Sequence, residues 1–493
     1  MEQLNILEFV KNKENFLNNN DISFVKNYPE RVLQFGEGNF LRAFVDCFID
    51  MLNEKDLFNG SVAVVQPIEK GLINILNEQN GFYTVLLRGL ENQVPTVKKR
   101  IVKSISRGIN PYEDFYIYLE TAKNPDLRYI VSNTTEAGIT FLNTDKLDDK
   151  PPVSFPGKIT VLLYERYKQF NGDVTKGFIF IPCELIDNNG DKLKETVLLY
   201  AQKWNLPEEF INWIHKANHF TNTLVDRIVT GYPKDEAEEL AKELGYQDNL
   251  IVTAEIFQFF AIEAEKEVSA EISKNLPFNK VNLDVVLTED VTPYKQRKVR
   301  ILNGAHTMSV LLAFLYGKET VKEMMDDEFF VDYLKKGIYE EIIPTLDLSK
   351  EDLESFATSV FDRFANPYIK HYLLDIALNS VSKYRTRVLP SIIEYHKRLG
   401  NLPENLTMSF AALIAFYKGG THKVADDEEI VTFFKEQWEK CDTSDISNIK
   451  QLVQVVCSRT DYWGQDLNEL SEFAQKTTEF LKEILERRSV TSC

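Results

Sequence analysis

The sequence predicts an α/β domain built on a mostly parallel sheet, followed by a mainly α-helical domain. Three observations carry that expectation. A strand, a glycine turn and a helix follow one another at 31–52. Apolar strands then alternate with helical stretches to about residue 250, and beyond about residue 280 helical periodicity runs to the end with almost no strand-like stretch. The 493 residues exceed what one hydrophobic core usually supports, so domains at 1–280 and 281–493 are expected.

Residues 1–30 read as a polar leader with a short helix. MEQLNILEFVKNKENF lacks a basic lead followed by an apolar stretch, so no secretory signal is expected. Val32–Phe35 reads as a strand, Gly36 and Gly38 as a turn, and Phe40, Phe44, Phe48 and Met51 as one face of a helix. A Rossmann-like dinucleotide-binding domain opens in this way. The glycines let the backbone approach a pyrophosphate, whose charge helix amides meet. Asn39 and Phe40 belong to the same turn, and Arg42 stands where a guanidinium would reach phosphate. Leu41 occupies the usual third glycine position, so the fingerprint is incomplete.

The next strand, 62–65, ends in Gln66-Pro67-Ile68-Glu69. No acid stands where NAD enzymes present one to the ribose, and no arginine welcomes a 2′-phosphate. NAD is the expected cofactor, with Gln66 as a ribose contact. Further strands are expected at 83–87, 129–132 and 178–181, and helices at 111–123 and 159–171. The basic, alternating segment 97–111 reads as an edge hairpin. The turn Ser132-Asn133-Thr134-Thr135-Glu136 follows a strand, where a cofactor loop through Thr135 is expected; the plainer reading is an Asn/Thr-rich turn with Glu136 starting a helix.

In the second domain helices are expected at 298–316, 320–337, 351–361, 369–382, 390–399, 407–417, 427–440, 445–458 and 466–488. The first carries Lys298, Asn303 and His306 in the stretch KVRILNGAH. On an α-helix turning about 100° per residue, Asn303 lies about 140° and His306 about 80° around from Lys298. A lysine there can exchange a proton with a hydroxyl or carbonyl oxygen that the amide and imidazole hydrogen-bond. Any helix carries such residues at some spacing. The cofactor motif upstream gives this set its weight.

A formal net charge of -18 argues against nucleic acid as a partner. It also means that an anionic substrate needs a local basic pocket. Five scattered cysteines fit a reduced cytoplasmic setting and offer no zinc spacing, so no metal is expected. No apolar run reaches the length of about 18 residues that suggests a membrane span, so no membrane partner is expected.

These motifs resemble the polyol-specific long-chain dehydrogenases, the mannitol dehydrogenase family, over most of the chain. The resemblance rests on Gly36 and Gly38, on FTNTLVDR at 220–227, on DVTPY at 290–294, on Lys298, Asn303 and His306, and on RFANP at 363–367. It implies NAD-dependent, metal-free hydride transfer. Lys298 would be acid in reduction and base in oxidation, Asn303 and His306 would polarise the reacting oxygen, and Val225 and Asp226 would lie near nicotinamide and substrate. That task needs a lysine pKa moved toward the working pH by burial or a nearby cation; Arg300 and Lys295 are close in sequence. Within the family, RVLQFGEGNFLRAF, VSNTTEAGI, CELIDNNG and LNSVSKYRTRVLPS most resemble members acting on keto-uronates.

Besides the missing ribose acid, two departures from the mannitol-acting members bear on substrate. Leu185 stands where they tend to have an Asn, and Lys295 where they have an acidic residue. Lys295, Arg363, His371, Lys383 and Arg385 are therefore candidate partners of a substrate carboxylate, in a stretch that also holds Lys370 and Arg387. The bland alternatives are a solvated helix face with snorkelling cations and, for His371, a core histidine. A keto-uronate of other stereochemistry, a neutral polyol, or an inactive dinucleotide-binding sensor remain open, as does an oligomeric state. His215, His219, His396 and His422 receive no role.

Overall fold

The computed structural model describes residues 4–10, 28–91, 93–135, 137–420 and 422–491. Most of the polar leader, Glu136 and Cys493 lie outside the described residues. The chain divides into two compact units, Met1–Arg88 with Thr96–Val291 and Gly89–Pro95 with Thr292–Cys493.

The first unit is organised by a six-stranded sheet whose spatial order is Ile105–Ile109, Ser61–Val65, Glu30–Phe35, Tyr129–Ser132, Ile179–Pro182, His219–Phe220. Every pairing is parallel. Numbered along the chain, these strands run 3-2-1-4-5-6, the doubly wound order of dinucleotide-binding domains. Side-chain alternation explains their near-continuous apolar runs. Val32, Val62, Val64, Val131 and Ile179 face one core with Phe44 and Phe48. Leu33, Phe35, Ala63, Val65 and Ile130 face the other, against helices Phe155–Gln169, Asn189–Lys203 and Glu208–Ala217. Both faces are buried, so neither needs polar residues.

Besides a parallel pairing of Leu4–Asn5 with Tyr246–Gln247, two smaller sheets complete this unit. One has four strands, ordered Val229–Gly231, Val252–Glu255, Tyr83–Glu91, Val94–Val102. The other has three, ordered Asn222–Asp226, Phe259–Glu263, Val285–Thr288. The basic segment 97–111 is thus not one edge hairpin. Val94–Val102 closes the four-stranded sheet, and Ile105–Ile109 closes the parallel one. Val102, Ile105 and Ile109 are buried while Lys98, Lys99 and Ser106 stay exposed, so each half buries one face of an edge strand.

The second unit is helical. Gly304–Leu315 and Glu404–Phe416 are apolar nearly all round and form its centre. Around them lie Lys350–Phe364, Leu389–Leu399, Glu428–Glu439, Ile446–Cys457 and Phe473–Thr491. Three expected helices are interrupted. The stretch 320–337 divides at Asp327, whose carboxylate caps the helix Glu328–Lys335 by accepting from Phe329 N. The stretch 369–382 divides at Asn379, which is left-handed at φ 52°. The last long helix begins at Phe473, after a short 3-10 turn at Leu467–Glu469. Among the described residues no helix is long and apolar enough to cross a membrane.

Candidate active site

In the first unit, the strand Glu30–Phe35 ends where the strand order reverses, between Ser61–Val65 and Tyr129–Ser132. Open α/β sheets bind ligands outside the carboxyl ends of strands at such a point. Gly36 turns the chain there at φ 115°, its N donating to Val65 O at 3.0 Å. A Cβ at Gly36 would fall 2.9 Å from Asn133 O, so the position admits only glycine. Gly38 and Asn39 are exposed, and a Cβ at Gly38 would meet nothing within 4 Å. The turn therefore presents bare backbone to open space.

The expected helix through Phe40 and Met51 breaks at Phe44, giving Asn39–Ala43 and Val45–Glu54. Phe44 leaves helical dihedrals, and its ring packs against Phe40 at 4.9 Å, Phe48 at 4.5 Å and Phe260 at 5.2 Å. Arg42 does not reach for a phosphate. It is 2% exposed and donates to Glu37 O, Leu250 O and Asn39 Oδ1, with Tyr83 beneath its guanidinium. Its charge lies on the protein side of the turn because backbone carbonyls converge there, and it braces the loop from behind. Gln66 is similarly engaged, its amide donating to Ile68 O and Glu69 O at 3.0 Å each. Only its Oε1 is left for a ligand.

Behind the turn, Gln34 Nε2 donates to Gly36 O and to Asp46 Oδ2 at 3.0 Å each. Burial pushes the Asp46 carboxyl up to about 7, against the lowering pull of Gln34 and Arg42. The folded state then holds a proton that the unfolded chain releases near pH 4, so this group's contribution to stability falls as pH rises from about 4 to about 7. Asp46→Asn removes that dependence and keeps an oxygen for Gln34. Its melting temperature, measured from pH 5 to pH 8, is expected to gain on the wild type as pH rises. A difference that stays constant with pH would show that Asp46 is ionised throughout.

Thr135 is exposed at φ 72°, a backbone conformation that β-branched residues rarely adopt. Its loop is fixed from beneath by Glu184, a buried carboxylate that accepts from Ser132 Oγ, Thr134 N and Thr134 Oγ1 at 3.0 Å each. Burial raises the Glu184 pKa. The adjacent Leu185 is 63% exposed. Val225 and Asp226 are buried at the end of the strand Asn222–Asp226, and Arg227 ties that strand to the glycine turn's helix by donating to Ala43 O at 2.7 Å.

In the second unit, Lys298–Asn303 is π-helical and Gly304–Leu315 continues as α-helix. The expectation of a regular α-helix is corrected, and the correction brings the set together. In a π turn bonds run from i to i+5, so Asn303 stacks over Lys298 much as i+4 does in an α-helix. Three α-helical residues later, His306 lies about 60° from Asn303. Arg297, just before, is buried; its Nη1 contacts both oxygens of Asp352 at 2.7 and 2.8 Å, and its guanidinium lies 4.4 Å over Phe356. This contact fastens the π turn to the helix Lys350–Phe364, which carries Arg363. Arg300 donates to Ser391 Oγ at 3.0 Å, and Lys295 lies half-buried in the helix Thr292–Arg297.

The His306 ring stacks on Phe364 with centroids 4.0 Å apart and meets the edge of His371 at 5.4 Å. Its Nε2 is buried without a hydrogen-bond partner among the described residues. Desolvation, then the positive charges of His371, Arg363, Arg387 and Lys383, hold its pKa well below the ordinary histidine value. The imidazole is therefore neutral at neutral pH. The candidates Arg363, His371 and Lys383 thus share one neighbourhood with His306.

Arg385 does not share it. On the helix Ser380–Arg387, Lys383 and Arg387 are four apart and share a face, while Arg385 lies about 200° from Lys383. Arg385 is exposed and donates to Asp461 O at 3.2 Å. Arg387 takes its place in the cluster. Its guanidinium is half-buried with no hydrogen-bond or carboxylate partner among the described residues, and desolvation lowers its pKa. Lys383 donates to Ile376 O at 2.9 Å, and burial with the nearby Arg387 lowers its pKa. Lys370 turns away over the Tyr372 ring.

The family model described as mannitol dehydrogenase Rossmann domain matches residues 30–275, and that described as mannitol dehydrogenase C-terminal domain matches 290–485. Altronate oxidoreductases of Escherichia coli O6:K15:H31 (strain 536 / UPEC) and of Shigella flexneri are each 48% identical over 465 residues, 93% of this chain and 95% of the relative. The mannitol 2-dehydrogenase of Pseudomonas fluorescens, solved with NAD and D-mannitol, superposes with TM-score 0.62 at 21% identity, over 94% of this chain and 95% of that one. A substrate-free D-sorbitol dehydrogenase gives TM-score 0.75 at 20% identity and the same coverage. These two likenesses establish the fold alone. Both halves of the chain match one family in order, and the chain belongs to the mannitol dehydrogenase family, as an oxidoreductase acting on CH–OH groups.

Proposed function

We propose that the chain reduces the keto-uronate D-tagaturonate to D-altronate, reversibly and with NAD(H), in bacterial hexuronate catabolism in the cytoplasm. One observation carries this reading: a neutral His306 sits among Arg363, Lys383 and Arg387, and among the described residues neither its buried Nε2 nor the Arg387 guanidinium has a partner. Asp426 lies near Lys383, but Arg387 has no carboxylate partner among the described residues, and holding such a cation out of water is costly unless an anion joins it. A neutral polyol supplies none, whereas a uronate carboxylate does. The near-full-length similarity to altronate oxidoreductases supports the same substrate class.

The first unit's turn fits a dinucleotide. Gly36 and Gly38 with Asn39 and Phe40 would hold the pyrophosphate, Gln66 Oε1 a ribose hydroxyl, and Thr135, Val225 and Asp226 the nicotinamide side. When bound, the nicotinamide supplies or accepts the hydride at the reacting carbon. The protein's part is proton transfer and charge stabilisation. In reduction, Lys298 Nζ gives a proton to the oxygen that becomes the hydroxyl; in oxidation the neutral amine takes it back. Asn303 Nδ2 and His306 Nε2 donate to the same oxygen and stabilise the negative charge it gains as hydride arrives. Arg387 and Lys383, with Arg363, hold the carboxylate and so fix which carbon is presented.

The test is loss of NADH absorbance with tagaturonate, fructuronate and fructose under identical conditions. Tagaturonate is expected to give by far the highest kcat/KM. Preference for fructuronate would change the substrate but keep the cation cluster's role, and preference for fructose would remove it.

A further inference from the structure

The strand Ser61–Val65 ends without the acid that usually receives the adenosine ribose, yet a carboxylate reaches this spot from another loop. Glu37 lies between Gly36 and Gly38, and its side chain turns toward the chain that follows the second strand. Its Oε1 accepts from Leu72 N at 3.1 Å. A Cβ at Gly71 would fall 2.0 Å from Glu37 Oε1 and 2.5 Å from Gln66 Oε1. The two acceptors thus converge beside Gly71, where a side chain would displace them. Glu37 is 7% exposed, and its Oε2 is buried with no hydrogen-bond partner among the described residues. Beside it runs the chain at Gly71 and Leu72, which continues an exposed loop with Ile68 at 62%. An unsatisfied buried carboxylate oxygen is costly, and a pair of vicinal hydroxyls would satisfy it.

We propose that Glu37 is the carboxylate that receives the adenosine ribose hydroxyls and excludes a 2′-phosphate, doing from the glycine turn what an acid after the second strand does in other dinucleotide-binding domains. The proposal rests on the dinucleotide reading above. Gln66 Oε1 offers a second acceptor beside it, and Arg42, whose charge would otherwise favour a phosphate, is spent behind the turn. Glu69 is the competing acid. It lies on the exposed loop, and its backbone carbonyl is tied to Gln66.

The experiment is equilibrium binding of NADH and NADPH, followed by nucleotide fluorescence, to the full-length wild type, Glu37→Gln and Glu69→Gln. Glutamine keeps an oxygen for Leu72 N, so the turn has the bond it needs to fold. The wild type is expected to favour NADH, and Glu37→Gln to shrink the NADPH-to-NADH Kd ratio by about 10-fold or more, the effect of losing a charge-assisted hydrogen bond together with a repulsive charge. Glu69→Gln is expected to leave the ratio as in the wild type. A wild-type ratio in Glu37→Gln, or a collapse of the ratio in Glu69→Gln, overturns the proposal. Failure of the wild type to bind either nucleotide would instead overturn the dinucleotide reading itself.

Discussion

Lys298→Ala is expected to lower kcat for keto-uronate reduction by about 10²–10⁴-fold, the range over which a positioned proton donor acts, while NADH binds as in the wild type. The separation follows from the architecture, because Lys298 belongs to the second unit and the glycine turn to the first. Alanine is the strongest helix former, so the substitution leaves the turn's backbone supported. Lys298→Arg is expected to be nearly as poor, since a guanidinium stays charged and cannot cycle a proton near neutral pH. Stopped turnover with an unchanged NADH Kd would establish the assignment. A Lys298→Ala enzyme with near-normal kcat would assign the proton to another group.

Arg387→Leu is expected to raise KM for the keto-uronate by roughly 10- to 150-fold, the equivalent of a charge-assisted hydrogen bond of about 1.5–3 kcal/mol. Any residual turnover of a neutral ketose should change far less. Leucine suits the site because Arg387 has no protein partner among the described residues to leave stranded. Lys383→Met is expected to act in the same direction more weakly, since part of that ammonium is already engaged with Ile376 O. Arg385→Leu is the control, and its KM should stay as in the wild type. Equal losses on charged and neutral substrates would mean that Arg387 supports the fold and not the carboxylate.

Much of this was legible in the sequence, for identifiable reasons. The parallel sheet was visible because its strands are buried on both faces, which makes Val62–Val65 an unbroken apolar run and leaves only Gln34 polar in Val32–Phe35. The helical unit was visible because a 3.6-residue period survives over long stretches. Boundaries were lost where a single side chain intervenes, as with the Asp327 cap or the left-handed Asn379. Within the site, residue types were readable but directions were not. Arg42, Arg385 and Arg387 look alike as letters. One is spent on carbonyls behind a turn, one points to Asp461, and one lies beside His306. The four-residue spacing of Lys383 and Arg387 would have favoured that pair had the helix been taken at its own period. Glu37 and Glu184 were passed over because a carboxylate in a loop looks solvated, and only the folded chain encloses them.

The π turn at Lys298–Asn303 also bears on how this chain tolerates change in length. Its hydrogen bonds span one residue more than those of the helix it leads into, so the segment holds one residue beyond what a regular helix needs. Deleting a residue between Lys298 and Asn303 would let the backbone relax into the commoner ladder and would leave the apolar register of Gly304–Leu315 undisturbed. The amine, amide and imidazole would then stand at i, i+4 and i+7 of a regular helix and stay on one face. Only at unchanged length are a regular backbone and the grouping of these three side chains opposed. A relative shortened by one residue at this point would keep both fold and grouping, whereas one of full length with a regular helix here would set Asn303 about 140° from Lys298 and lose the geometry.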